Sequence, residues 1–277
     1  MCYSYKGGSG RTVAAGNIAA ALAKQGKKVL ILDMDIEAPG LQNLFEITDT
    51  IKYKKRLGLQ DYLKNHMTLE ELDESALLDF SRAEDVGNPL PIPEDGKLLY
   101  LITTNRSTNI LTEMSRIPQR MDDLVEYFGR KYDLDYIILD AASGIREAFT
   151  IALHITDILL VFFRWTRQHL EGTIKIGQLI DVMQGMGDMN RLKDFKLIAS
   201  ISPPDEELER LDNQVLSNVL SRIKEDSLLK LREELEDDIA LFYEIPEIIE
   251  LKWRERILAF DQKKTPYEEI VVKLMDD

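Results

Sequence analysis

The chain has 277 residues, 44% of them hydrophobic and 30% charged, with a formal net charge of −14. That length supplies a sizeable core, while the acidity opposes non-specific binding to nucleic acid or anionic lipid. No apolar run approaches the ~18 residues of a membrane span, three scattered histidines offer no zinc site, and a single cysteine excludes an internal disulfide and fits a reducing, cytoplasmic setting.

A short apolar and aromatic run (Met1, Cys2, Tyr3, Tyr5) leads into Lys6-Gly7-Gly8-Ser9-Gly10-Arg11-Thr12 and then an alanine-rich run to Ala23. The pattern reads strand, glycine loop, helix. It begins at once with a motif-bearing strand, which argues against a removable signal peptide. Three glycines in four positions let backbone N–H groups close around an anion, and the helix N-terminus adds partial positive charge. Lys6, Gly7, Gly8, Ser9, Gly10, Arg11, Thr12 and Val13 are the candidate phosphate contacts. Thr12 is placed to offer its hydroxyl to magnesium, as the last residue of a Walker A loop does. Two features depart from the plain G-x-x-x-x-G-K-[ST] pattern: Lys6 is an additional lysine, and Arg11 takes the usual lysine's position. The plainer alternative is a glycine turn before a helix, and the two motifs that follow weigh against it.

The first helix should end near Gln25-Gly26. Lys28 to Asp33 is a continuous aliphatic run, expected as a strand buried on both faces. Beyond its carboxyl end come Asp33 and Asp35, where ligands sit in doubly wound folds. These carboxylates suit magnesium and water, with capping of the next helix as the alternative and Glu37 as a further acidic candidate. From Asp49 to Asp95 the pattern weakens. Lys52, Lys54, Lys55 and Arg56 read as a solvated basic face. Acids outnumber bases ten to two between Asp61 and Asp95. Leu59, Tyr62 and Leu63, then Leu69 and Leu72, suggest short helices in an insertion over the sheet edge or the nucleotide, and 86–95 reads as a loop.

Lys97 to Thr103 is the next expected strand and Pro118 to Phe128 a helix. Leu134 to Asp140 is an apolar strand ending in an aspartate, with Gly144 four residues on, the layout of a Walker B segment whose carboxylate reaches a metal's sphere. Asp157 to Phe163 is another core strand. The basic-aromatic loop after it, Arg164 to His169, suits dimer contacts or anchoring by Trp165 better than DNA, and His154 and His169 read as structural. Phe195 to Ser202 is strand-like. After Pro203-Pro204, Leu208, Leu211, Val215, Val219, Ile223, Leu228, Leu231 and Leu235 form a helical stripe, expected to face the core. Twelve acids face five bases between Asp205 and Asp238. Ile239 to Tyr243 reads as a strand, 245–247 as a turn, and Pro266 to Met275 as a closing helix without a basic face.

The loop opened by Lys6, the aspartates at 33 and 35, and the D-x-x-x-G of Asp140 to Gly144 together resemble the deviant Walker A ATPases of the ParA/MinD family. The arginine at position 11 narrows the likeness to its KGGVGR-motif variants. The resemblance implies one α/β domain over 1–277, a SIMIBI-type P-loop NTPase with a doubly wound, mostly parallel sheet and helices on both faces. An insertion at about 49–95 and an acidic helical segment at about 205–238 would decorate it. It implies ATP and Mg2+, with Thr12, Asp33 and Asp140 arranging the metal, Asp33 through a bound water. Asp35 would orient the attacking water, and Lys6 would reach across a nucleotide-sandwich dimer to the partner's phosphates, so both count as catalytic. Further implications are slow hydrolysis, a homodimer while ATP is bound, and a protein partner rather than bulk membrane or non-specific DNA. Departures exist. Ala142 stands where proline is common, and Ser200, Ile201 and Ser202 stand where an asparagine commonly reads adenine. The terminal helix is also unlike the membrane-targeting helix of MinD proteins. A rival reading, kept open by Arg11, is an adaptor that senses the nucleotide with little or no hydrolysis.

Overall fold

The computed structural model describes residues 1–35, 38–47, 57–64, 66–86, 88–103, 117–145, 147–186, 191–202, 214–235, 240–261 and 264–276. Eight strands form one sheet in the order β3-β4-β2-β5-β1-β6-β7-β8. They are β1 (Cys2–Tyr3), β2 (Lys28–Asp33), β3 (Leu77–Asp79), β4 (Lys97–Leu101), β5 (Tyr136–Asp140), β6 (Ile158–Phe163), β7 (Asp194–Ser202) and β8 (Leu241–Pro246). Every pairing is parallel except that of β3 with β4. A central parallel strand is covered on both faces, which is why β2 and β6 read as unbroken apolar runs. Because the strands run the same way, Ser4, Asp33, Asp140 and Ser202 arrive at one edge, and Asp33 lies opposite Asp140 in register.

Helices lie on both faces of this sheet. On one, α1 (Arg11–Lys24) is buried over most of its length. Its alanines and Gly16 let it sit close to its neighbours, since a Cβ on Gly16 would lie 2.3 Å from Leu44 Cδ2 in α2 (Leu41–Leu44). Asn17, fully buried on α1, donates from Nδ2 to the carbonyls of Val13 and Arg256 and accepts from the Leu258 amide. It ties α1 to the segment before the last helix, Pro266–Asp276. Asn17→Ala would leave buried backbone groups without partners, and we expect a loss of about 2–3 kcal/mol. A lower urea midpoint at unchanged slope would register it.

Residues 57–86 are more than surface. They carry α3 (Leu59–Leu63), α4 (Leu69–Ala76), β3 and α5 (Ala83–Val86). Leu59, Leu63, Leu72, Leu78 and Phe80 join the core, and the Leu59 amide donates to Ile102 O just past β4. Asp73 of α4 pairs with Lys131 and accepts from the Tyr132 hydroxyl at 2.6 Å, both on α6 (Ile117–Tyr132). The Arg120 guanidinium of α6 lies 4.0 Å from the centre of the Tyr62 ring. The basic cluster at 52–56 lies outside the described residues.

The remaining helices are α7 (Glu147–His154), α8 (Arg167–Gly185), α9 (Gln214–Glu234), α10 (Ile249–Trp253) and α11 (Pro266–Asp276). Three expectations need correction. The stripe on α9 is not wholly core: Leu231 is buried, but Val219 and Ile223 are 46% and 39% exposed, and Leu208 and Leu211 lie outside the described residues. The strand expected at 239–243 begins at Leu241 and runs on through Pro246, which pairs with Ser202, so 245–246 is strand instead of turn. Proline is tolerated there because β8 is an edge strand. No sequence signal announced β3, three residues long and antiparallel.

Candidate functional site

The loop between β1 and α1 takes the shape its glycines permit. Gly8 and Gly10 have φ of 77° and 71°, the left-handed region that side chains disfavour. Lys6, Gly7 and Gly8 are exposed, whereas Ser9 is buried with its hydroxyl unpartnered. Ser200 pins the loop from β7, its hydroxyl 2.6 Å from Ser9 O and 3.1 Å from Phe163 O. Two other segments close on the loop. Ser143 Oγ, just after β5, would lie 4.0 Å from a Cβ on Gly7, and a Cβ on Gly40 would lie 3.0 Å from Thr12 Cγ2. Gly144, with φ of 85°, carries the turn after Asp140. The glycine loop, the 33–40 segment and the 140–144 segment therefore meet at one place.

Within that place Asp33 and Asp140 are both buried. Asp33 Oδ1 accepts from the Asp35 amide and Oδ2 from the Leu41 amide, each at 3.0 Å. The helix-capping alternative thus describes part of what Asp33 does. Burial, and then the charge of Asp140, push the Asp33 carboxyl above the usual carboxylate range. Burial also pushes Asp140 up, opposed by the charge of Arg11 and by hydrogen bonds from Thr12 and Arg11. Asp35 is half-buried and contributes to the repulsion at both. Its Oδ1 accepts from the Ala38 amide at 3.2 Å. Glu37 lies outside the described residues.

Arg11 meets the strand ends beside its loop. Its Nε donates to Asp140 Oδ1 at 2.6 Å, NH1 lies 3.3 Å from Ser4 Oγ, and NH2 lies 3.4 Å from Thr12 Oγ1. The guanidinium is turned to the strand ends, with side-chain exposures of 9% for Arg11 and 1% for Asp140. Val13 is buried in α1. Lys6 stands exposed at the loop's other end.

Sequence reasoning missed the contacts of Ser4 and Ser200, because a serine gains its role from what it faces. His169 is the residue expected to be structural. It is buried at the start of α8 with Nδ1 unpartnered, and burial, then Arg164, then Lys6 lower its pKa. Trp165 is anchored as expected: Nε1 donates to Ser202 Oγ at 2.9 Å and its ring packs edge-on to Phe163. Arg167 pairs with Glu171 on the surface.

A divalent metal suits the donors present. Asp140 Oδ2 is buried with no hydrogen-bond partner, and two buried carboxylates face one guanidinium, leaving negative charge to be met. Magnesium is held by one or two carboxylates, a hydroxyl and phosphate oxygens, not by a cage of protein ligands.

Residues 1–193 match the family model described as "AAA domain", AAA_31. An uncharacterized ATP-binding protein of Methanocaldococcus jannaschii is 29% identical over 160 residues, 57% of this chain and 49% of that protein. The septum site-determining protein MinD of Synechocystis is 31% identical over 150 residues, 54% of this chain and 47% of that one. The match thus spans about half the length of these curated relatives. Among solved structures, MinD of Aquifex aeolicus aligns with TM-score 0.64 at 19% identity, covering 99% of this chain and 95% of that one. An ATP complex of McdA from Cyanothece aligns with TM-score 0.70 at 14% identity, covering 98% and 94%. These structural likenesses speak to the fold. No described helix is long and apolar enough to cross a membrane. With its glycine loop facing two strand-end aspartates and the P-loop layout of ParA/MinD proteins, the chain belongs to the AAA domain family, AAA_31.

Proposed function

We propose that the protein is a magnesium-dependent molecular switch that binds ATP, dimerises around it and hydrolyses it slowly, controlling a protein partner. One observation carries the reading: the glycine loop opened by Lys6 meets Asp33 and Asp140, opposed in register at the ends of adjacent strands. In this reading the amides from Gly7 to Val13 bind phosphate, and Thr12, Asp33 and Asp140 hold Mg2+. The metal, when bound, supplies positive charge to the phosphates. Asp35 orients water and accepts its proton, and Lys6, exposed in the single chain, serves a second copy's nucleotide. Phosphate release measured beside sedimentation with and without ATP tests this. Slow release with ATP-dependent dimers is expected, and a monomer that neither binds nor cleaves ATP would sink it.

The adaptor reading keeps one specific support. Arg11 occupies Asp140, which the hydrolysing reading assigns to the metal. Saturable ATP binding with no phosphate release by the pure protein would favour it. On either reading the cargo is a protein. The chain's acidity opposes non-specific DNA binding, and Arg167, one of the two arginines at 164–167, pairs with Glu171. We expect no DNA retardation by the ATP form at physiological salt, and tight, salt-sensitive retardation would overturn this.

A further inference from the structure

Arg11 touches three groups, and two of them, Asp140 and Thr12, are the ones a metal would need. The contacts are unequal. The bond to Asp140 is short and charge-assisted, whereas those to the Ser4 and Thr12 hydroxyls are long. One strong interaction therefore holds the side chain. Moving it alone would strand a buried carboxylate beside Asp33, which is costly unless another cation or a proton arrives. The guanidinium, for its part, needs an anion to receive it.

We propose that Arg11 is a latch on the metal position: it holds Asp140 until magnesium and a nucleotide arrive together, then passes to the phosphates. The inference rests on the nucleotide reading above. The exchange is balanced in charge, because the metal takes over Asp140 while the nucleotide takes over Arg11. Neither ligand alone completes it. Magnesium without phosphate leaves the arginine no anion, and nucleotide without magnesium leaves Asp140 bare. Binding of the two is therefore strongly cooperative, and arginine, with its fork of donors, holds the closed position more firmly than a lysine would.

The Arg11 Nε–H is the direct probe. In protein labelled with 15N-arginine, its resonance is assigned by its loss in Arg11→Lys. Saturating Mg-ADP, with binding verified by calorimetry, should shift or remove it, while Mg2+ alone and ADP in EDTA should leave it in place. ADP affinity should fall at least about tenfold without Mg2+, for want of a cation at Asp140. As a second readout, Arg11→Ala, if it folds, should gain a Mg2+-dependent rise in melting temperature of about 2 °C or more that wild type lacks. An Nε–H unchanged by bound Mg-ADP would overturn the latch and leave the nucleotide reading standing. So would a resonance displaced equally by Mg2+ alone. Failure of calorimetry to detect Mg-ADP binding would overturn both.

Discussion

Arg11→Ala should lower the stability of the ligand-free protein by about 3–5 kcal/mol, the usual consequence of removing one partner of a buried ion pair. The reason is local. Asp140 would be left buried beside Asp33 with no cation near and with Oδ2 already unpartnered, and would carry an unpaired charge or have to take up a proton. For a chain of this size the melting temperature should fall by something on the order of 10 °C. Lys6→Ala is the control. Lys6 is exposed, so its removal should leave the melting curve in place. Its effect should appear instead in ATP-dependent dimerisation and turnover. Calorimetry with a slowly hydrolysed ATP analogue, below the dimerisation concentration, completes the contrast. Monomer affinity should be near wild type for Lys6→Ala and roughly 30- to 150-fold weaker for Arg11→Ala. Equal losses from the two variants would make Lys6 an ordinary ligand of its own loop's phosphates.

Asp35→Ala should reduce ATP turnover about a hundredfold, roughly 3 kcal/mol of transition-state stabilisation, while nucleotide binding persists. Asp35 lies beside the two buried carboxylates, close enough to raise both, yet is half-buried and does not bond to Arg11. That position suits the water-orienting role proposed for it. Its carboxylate also accepts from the Ala38 amide, so Asp35→Ala loses that contact as well. Asp35→Asn separates the two effects, since the amide oxygen can still accept from Ala38 but no longer takes a proton. Turnover should be lost in both variants. Wild-type turnover in Asp35→Asn would restrict the residue to holding Ala38, and attention would pass to Glu37.

The family, the parallel sheet and the three segments of the site were legible before any coordinates, and the reason is that each is written locally. A loop with three glycines in four positions must adopt backbone angles open mainly to glycine, and Gly8 and Gly10 do. Unbroken aliphatic runs such as Lys28 to Asp33 can be strands only where both faces are covered, and an aspartate ending such a run is delivered to the ligand edge. What the tertiary structure alone decided is partner choice. Nothing near Arg11 in sequence states that its guanidinium will turn to Asp140, 129 residues away, because that follows from β5 lying beside β1 and from the burial of both groups. The same holds for Ser200 clamping Ser9 and for 57–80 entering the core through the Asp73–Lys131 pair and β3. It also holds for Val219 and Ile223, apolar at helical spacing yet exposed. Periodicity specifies which residues share a face; only the packed neighbours determine whether that face meets a core, a charge or water.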